Sequence, residues 1–187
     1  SGASRHITKA VIPAAGLGTR LLPLTKAVPK ELMPLGRKPV LEHIVDEASA
    51  CGITQILFLI SESKTAIRTH FGSSSGGVKF HYALQPQQNG LADAIRCGRE
   101  FVGADPFAVI LGDSVIETDQ SVIPFRRVLD TYRDTDARAV IVVQKTPKEV
   151  SRYGIVKPKH GAAPSFQIDG LVEKPRPQDA PSEYAIA

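Results

Sequence analysis

The stretch Ala10-Val-Ile-Pro-Ala-Ala-Gly16-Leu-Gly18-Thr19-Arg20-Leu-Leu-Pro23-Leu-Thr25-Lys26-Ala-Val-Pro29-Lys30-Glu31-Leu-Met-Pro34-Leu-Gly-Arg-Lys-Pro39 decides how the rest of the chain is read. It begins with a short continuous apolar run, which suits a strand covered on both faces, so a buried strand is predicted over residues 9–15. Pro13 belongs near the end of that strand, where its missing N–H costs no ladder bond. The run meets a glycine turn. Gly16 and Gly18 let backbone N–H groups approach an anion, and Arg20, Lys26 and Lys30 bring three cations to the same segment. Pro23, Pro29 and Pro34 restrict the backbone between them. The segment therefore reads as a stiffened anion-binding loop at the carboxyl edge of the first strand, where open α/β sheets bind ligands.

Two standard phosphate loops do not fit. A dinucleotide fingerprint wants G-x-G-x-x-G, but its third glycine position is Leu21, and no acidic residue closes a second strand about 20 residues later. A P-loop wants Gly-Lys-Ser/Thr after four spacer residues, and the residues after Gly16 do not supply it. The bland reading, a solvated basic loop, has no need of this spacing of glycines, prolines and cations.

Working outward, Val40, Leu41, Ile44, Val45 and Ala48 recur at helical spacing from Pro39 until Gly52. Residues 55–60 are a second buried strand, followed by a helix capped by Ser63 that ends near Phe71 and Gly72. A Ser/Gly-rich stretch over 73–77 leads to a third strand over 78–84. Gly90 opens a helix through Leu91, Ala94, Ile95 and Phe101, and residues 107–111 form another apolar strand ending at Gly112-Asp113. A helix over 121–133 and a fifth strand over 137–144 follow. Buried strands alternating with amphipathic helices predict an α/β fold, Rossmann-like, with a mostly parallel sheet between two helical layers. From Arg152 the pattern changes to strands without intervening helices, over 153–156 and 167–173. Residues 1–187 are expected to form a single domain, with a first part over 1–150 and the start of a second part over 151–187. Tyr184-Ala-Ile-Ala187 is an apolar run without a terminator, from which the natural chain is expected to continue.

The 187 residues suffice for one domain with a substantial core. A hydrophobic content of 42% against 22% charged residues fits an ordinary globular protein. The net charge of +4 is spread over single Lys and Arg residues, so no nucleic-acid footprint is expected. Cys51 and Cys97 lie far apart in apolar helical patterns and read as buried thiols of a reducing compartment. No apolar run approaches the ~20 residues of a membrane helix, and the expected location is cytoplasmic. The histidines make no zinc pattern. Gly112-Asp113-Ser114 resembles the nucleophile block of GDSL-type hydrolases, but no Asp-x-x-His supplies the base.

The block Gly16-Leu-Gly-Thr-Arg-x-x-Pro-x-Thr-Lys-x-x-Pro-Lys-Glu-x-x-Pro closely resembles the signature of the bacterial UTP-glucose-1-phosphate uridylyltransferases, of the sugar-nucleotidyltransferase family. The resemblance continues through Lys38-Pro39, residues 106–113, Tyr153-Gly-Ile-Val156, Leu171-Val-Glu-Lys-Pro175 and Ala180-Pro-Ser182. It implies a nucleotide-diphospho-sugar transferase type of fold. The implied reaction is attack of glucose 1-phosphate on the α-phosphorus of UTP, giving UDP-glucose and pyrophosphate with Mg2+ and without a covalent enzyme intermediate. Such a reaction asks the protein for alignment and charge neutralisation.

By the same resemblance, Arg20 contacts the leaving phosphates, Lys30 contacts the triphosphate near the α-phosphorus, and Lys26 is a supporting charge. Ala15 and Gly16 hold the nucleoside through their backbone, with Gly18 and Thr19 in the same loop and Glu31 as a carboxylate facing it. Gln85 and Gly90 read the pyrimidine edge; a side-chain amide offers both donor and acceptor to a uracil. Asp113 is the Mg2+ carboxylate. Gly154, Glu173 and Lys174 form the sugar side, with Lys174 on the phosphate of glucose 1-phosphate. A homo-oligomer is implied for the full-length form.

Three departures accompany the resemblance. Gly90-Leu-Ala-Asp93-Ala has Ala and Asp where uridylyltransferases commonly show Gly and His, and Leu-Ala is closer to the thymidylyltransferase branch. Gly112-Asp113-Ser114 replaces a more acidic run. The family's later metal carboxylate has no counterpart in these residues. A thymidylyltransferase using dTTP, or a truncated paralogue that binds nucleotide without turnover, are the alternatives.

Overall fold

The computed structural model describes residues 5–16, 18–87, 90–116, 123–162 and 165–186. They fall into two compact units divided between Asp134 and Thr135. The first unit runs β1 (Lys9–Pro13), β2 (Pro34–Leu35), β3 (Lys38–Pro39), α1 (Val40–Ala50), β4 (Gln55–Ile60), α2 (Thr65–Phe71), β5 (Ser74–Ser75), β6 (Val78–Leu84), α3 (Leu91–Cys97), α4 (Arg99–Val102), β7 (Phe107–Val109) and α5 (Pro124–Asp134). Its main sheet has the order β5-β6-β4-β1-β7. The β6–β4, β4–β1 and β1–β7 pairs are parallel and only the short β5 runs antiparallel. The mostly parallel α/β sheet expected from the alternating pattern is present.

Alternation of side chains along β1 explains the layers. Ala10, Val11 and Ile12 are all at 0% exposure, because successive side chains leave the strand on opposite faces and both faces are covered. Ala10 and Ile12 share a cluster with Leu41, Ile44, Val45 and Ala48 of α1 and Ile67 and Phe71 of α2. The half-buried Phe125, Leu129 and Tyr132 of α5 pack on the same cluster. Val11 points the other way, into a cluster with Leu57, Leu59, Ala94 of α3 and Val102 of α4.

Several elements differ from their sequence expectation. The helix expected from Gly90 to Phe101 is two helices broken at Gly98. A Cβ at Gly98 would stand 3.3 Å from Ile95 O, Leu57 Cδ2 and Val11 Cγ2, so the backbone presses onto the sheet where a continuous helix would carry a side chain. Ser63 does not cap α2: it lies inside a 3-10 turn, Glu62–Lys64, and its hydroxyl pairs with that of Ser61 at 3.0 Å. The expected helix over 121–133 is observed as α5, and its expected first residues, 121 and 122, lie outside the described residues.

The second unit holds β8 (Val143–Lys145), β9 (Gly154–Ala162), β10 (Ser165–Glu173) and β11 (Tyr184–Ile186) in the order β10-β9-β11-β8, antiparallel throughout. The fifth strand expected over 137–144 is corrected here. Only Val143–Lys145 are strand, and they pair antiparallel with Tyr184–Ile186 instead of extending a parallel ladder. An apolar run specifies burial but not its partner, and here the terminal apolar residues are that partner. The strands expected over 153–156 and 167–173 are observed as one longer hairpin around a small core of Val150, Ile155 and Ala185. Among the described residues no helix is long and apolar enough to cross a membrane.

Phe58, at 0% exposure, stacks within 5.0–5.6 Å of Phe71, Phe80 and Tyr82. Phe58→Ala is expected to cost about 3–5 kcal/mol. Leu24→Ala, at a side chain 66% exposed, should change stability by less than about 0.5 kcal/mol. Urea unfolding of the two variants measures both.

A candidate anion site at the strand switch point

The chain passes from β1 to β4 to β6 on one side of β1, then returns to place β7 on its other side. The β1–β7 boundary is therefore the point where strand order reverses, and the carboxyl ends of open parallel sheets bind ligands at such points. Two segments emerge there: residues 14–32 after β1, and Gly112-Asp113 shortly after β7. Ala14 N–H still donates to Leu59 O at 2.8 Å, which carries the ladder one residue past β1, and Ala15 is buried. The backbone then leaves the sheet.

The loop is built from three 3-10 turns, Thr19–Leu21, Leu24–Lys26 and Lys30–Leu32. Gly18 has φ +62°, in the left-handed region, and a Cβ there would stand 2.8 Å from Thr25 Cγ2. Thr25 holds the turn from the other side, its hydroxyl donating to Gly18 O at 3.0 Å. Gly18 thus has two reasons to be glycine, conformation and proximity. Thr25 belongs to the loop motif, and the structure gives it a role that the sequence did not: closing the glycine turn.

Lys30 and Asp113 meet. The Lys30 ammonium donates to Asp113 Oδ2, and a Cβ on Gly16 would lie 3.8 Å from Lys30 Nζ, so this cation passes over the first glycine of the loop. Gly112 lets the Asp113 turn approach: a Cβ there would stand 3.3 Å from Ile12 Cγ2 and Pro13 O. The structure thus brings Gly16, Lys30 and Asp113 to one place. Arg20 has its backbone in the first turn, and its side chain lies outside the described residues. Lys26 ends the second turn and is exposed, as is Thr19.

Glu31, expected to face a nucleoside, turns inward. It is 1% exposed, and both carboxylate oxygens accept from Lys64 Nζ, at 2.9 and 2.8 Å. Burial pushes the Lys64 ammonium below the usual lysine range, and its hydrogen bonds to Glu31 oppose that shift. Lys64 is the site neighbour that sequence reasoning missed. Its contact spans 33 residues, and no local pattern announces a pairing at that range.

Gln85 is buried at the end of β6, its N–H donating to Ile60 O at 2.9 Å. It lines an open cleft of about 390 Å3 with Ser61, Glu62, Ser63, Leu84 and Pro86. At about 4.8 Å per strand, β6 stands roughly 10 Å from β1 across the sheet. Gly90, at φ +100°, precedes α3 and is exposed.

In the second unit, Gly154 and Glu173 face each other across the β9–β10 hairpin. A Cβ on Gly154 would stand 3.1 Å from Glu173 Oε2, so the glycine makes room for that carboxylate. Lys174 follows with φ +44°, the one non-glycine with positive φ among the described residues, and its N–H donates to Tyr153 O at 3.0 Å. Its ammonium stands 3.7 Å from Glu173 Oε1 and is largely exposed. The hairpin therefore brings Gly154, Glu173 and Lys174 together.

Among the described residues, no group of three or more His, Cys, Asp or Glu side chains gathers as a ready-made metal cage. A divalent cation held by Asp113 would meet a carboxylate oxygen, a donor that suits Mg2+, as do phosphate oxygens and water.

Residues 9–187 match the nucleotidyl transferase family. The chain is 38% identical over 204 residues to UTP–glucose-1-phosphate uridylyltransferase 2 of Streptococcus pyogenes serotype M3, covering 96% of this chain and 68% of that protein. Among solved structures it is similar to a UTP-bound UGPase from Acinetobacter baumannii, with 32% identity and a TM-score of 0.89 over 96% of this chain and 72% of that one. A UDP-glucose pyrophosphorylase complexed with UDP-glucose gives 30% identity and a TM-score of 0.87, covering 96% and 74%.

Gly18→Ala should lower unfolding free energy by about 1–2 kcal/mol through its left-handed backbone, with a further loss from the Thr25 clash. Thr25→Ser added to it removes the clashing methyl and keeps the hydroxyl, so the double variant should recover part of the loss. Denaturation midpoints of the three proteins measure this.

Proposed function

Since the chain belongs to the nucleotidyl transferase family, we propose that it transfers the uridylyl group of UTP to glucose 1-phosphate, releasing pyrophosphate and UDP-glucose. The observation that carries this reading is the meeting of Lys30 with Asp113 at the strand switch point, over the glycine loop. In-line displacement at a phosphorus needs its attacking and leaving oxygens aligned and their charge balanced. Lys30 supplies a cation that passes over Gly16, whose lack of a side chain permits close approach of a phosphate. Arg20 and Lys26 add charge along the same loop, on the side of the leaving pyrophosphate. Asp113 would hold Mg2+, which when bound supplies a hard positive charge for the phosphate oxygens.

Gln85, buried and two strands from the loop, is assigned the uracil edge, with Gly90 leaving room beside it. Ala15, Gly16 and Thr19 are assigned the nucleoside and its phosphates. Glu31 is given a different role from a direct ligand contact, because it is only 1% exposed and held inward on Lys64. In the second unit, Glu173 is assigned sugar hydroxyls and Lys174 the phosphate of glucose 1-phosphate. Support for the last comes from its backbone: a non-glycine at φ +44° costs conformational energy that a glycine would not, and such costs gather at functional positions.

Pyrophosphate release with glucose 1-phosphate, comparing UTP with dTTP, tests the reading. Release with UTP is expected; release with dTTP in its place would assign the thymidylyl reaction, and none with either would remove the proposal. Lys174→Ala should raise the KM for glucose 1-phosphate about tenfold or more while the KM for UTP changes little. Asp113→Ala should lower Mg2+-dependent kcat by about 10²-fold or more, and normal turnover in that variant would refute its assignment.

A further inference from the structure

We propose that Lys64 is a positioning residue for the triphosphate side of the site, acting through Glu31 on both Lys30 and Asp113; the inference rests on the nucleotidyl-transfer reading. Lys64 enters from the turn after β4, and Glu31 from the third turn of the loop. Their side chains are 7% and 1% exposed, and the ammonium bonds both carboxylate oxygens. A buried ion pair is a poor device for stability alone, since apolar residues of similar volume fill the same space at equal or lower free energy. Its value lies in fixing direction.

Two contacts carry that direction outward. A Cβ on Gly112 would stand 3.4 Å from Glu31 Cγ as well as 3.3 Å from Pro13 O, so the Glu31 stem sits against the turn that presents Asp113. Lys30 is the residue before Glu31 in the same 3-10 turn, where successive side chains diverge by about 120°. Holding Glu31 inward on Lys64 therefore turns Lys30 away from the core, to where its ammonium meets Asp113 and passes over Gly16. The charges of Lys30 and Asp113 also act on Lys64, the first opposing and the second favouring its ammonium form. The pair thus fixes the two side chains on which alignment of the triphosphate depends, without itself reaching the surface.

The test measures kcat and both KM values by pyrophosphate release for the whole chain, at a temperature where circular dichroism shows each variant folded. Lys64→Met should lower kcat about 10–10²-fold, the cost of misplacing aligned groups by about 1 Å, with the KM for glucose 1-phosphate held within about twofold. Lys64→Arg, which keeps the cation, should recover most of kcat. Phe80→Ala, destabilised in the core away from the loop, serves as the control and should keep kcat. A Lys64→Met protein with wild-type kcat, or a Phe80→Ala control that loses kcat in the same proportion, would overturn the inference. If Lys64→Met does not fold, Lys64→Gln is read by the same criteria, and unchanged kcat overturns it. Should the wild-type protein release no pyrophosphate, the reaction assignment fails separately. UTP affinity by calorimetry then decides for Lys64: about tenfold weaker binding in Lys64→Gln supports positioning, and equal binding refutes it.

Discussion

Everything in the first unit hangs on β1 being covered from both sides and both edges. Its three inner residues admit no water, it pairs with β4 and β7, and its alternate side chains anchor two separate apolar clusters. A strand so placed has no freedom of register, because a slip by one residue would exchange the two faces. The point at which the chain leaves it is fixed as well. The glycine loop therefore starts from a strand that is buried and paired on both edges.

From that origin the polar chemistry is arranged in two depths. Lys64 and Glu31 lie below, shielded from water, and Lys30 and Asp113 lie above them, partly open to it. Positive and negative alternate through the four, so the buried charges are compensated and the outer cation stays close to where a polyanion would arrive. The second unit uses a different means to present a cation. Lys174 is held out by a left-handed backbone and one main-chain hydrogen bond to Tyr153, at the end of a hairpin whose glycine yields space to Glu173.

Much of this was legible in the residues. Continuous apolar runs placed β1 and β4, since burial on both faces leaves no polar positions to confuse the period, and helical spacing placed the helix after Pro39. The loop motif located Gly16, Gly18 and Lys30 as one group, and Asp113 stood at the end of a later strand; the structure brings Gly16, Lys30 and Asp113 around a single contact. What escaped depended on distance along the chain. Glu31 reads as a carboxylate facing the nucleoside, with nothing to announce Lys64 from 33 residues away, and the run over 137–144 reads as a fifth strand of the main sheet although its last residues pair with Tyr184–Ile186. The helix break at Gly98 escaped for a related reason: helical periodicity continues through it, and the proximity of Ile95 O, Leu57 and Val11 removes room for a side chain. Local pattern reports which residues want burial, and tertiary structure chooses what they are buried against.

The parallel arrangement around β1 also bears on how the chain is made. Lys9 pairs with Gln55 on one side and with Phe107 on the other, whereas the β9–β10 hairpin joins neighbours in sequence. During synthesis at about 5–20 residues per second, β1 therefore waits roughly 5–20 seconds for its second edge partner, while the later hairpin closes almost as soon as it emerges. Through that interval one edge of the strand stays unpaired, so a segment fully buried in the finished protein is exposed to wrong pairing while the protein is nascent.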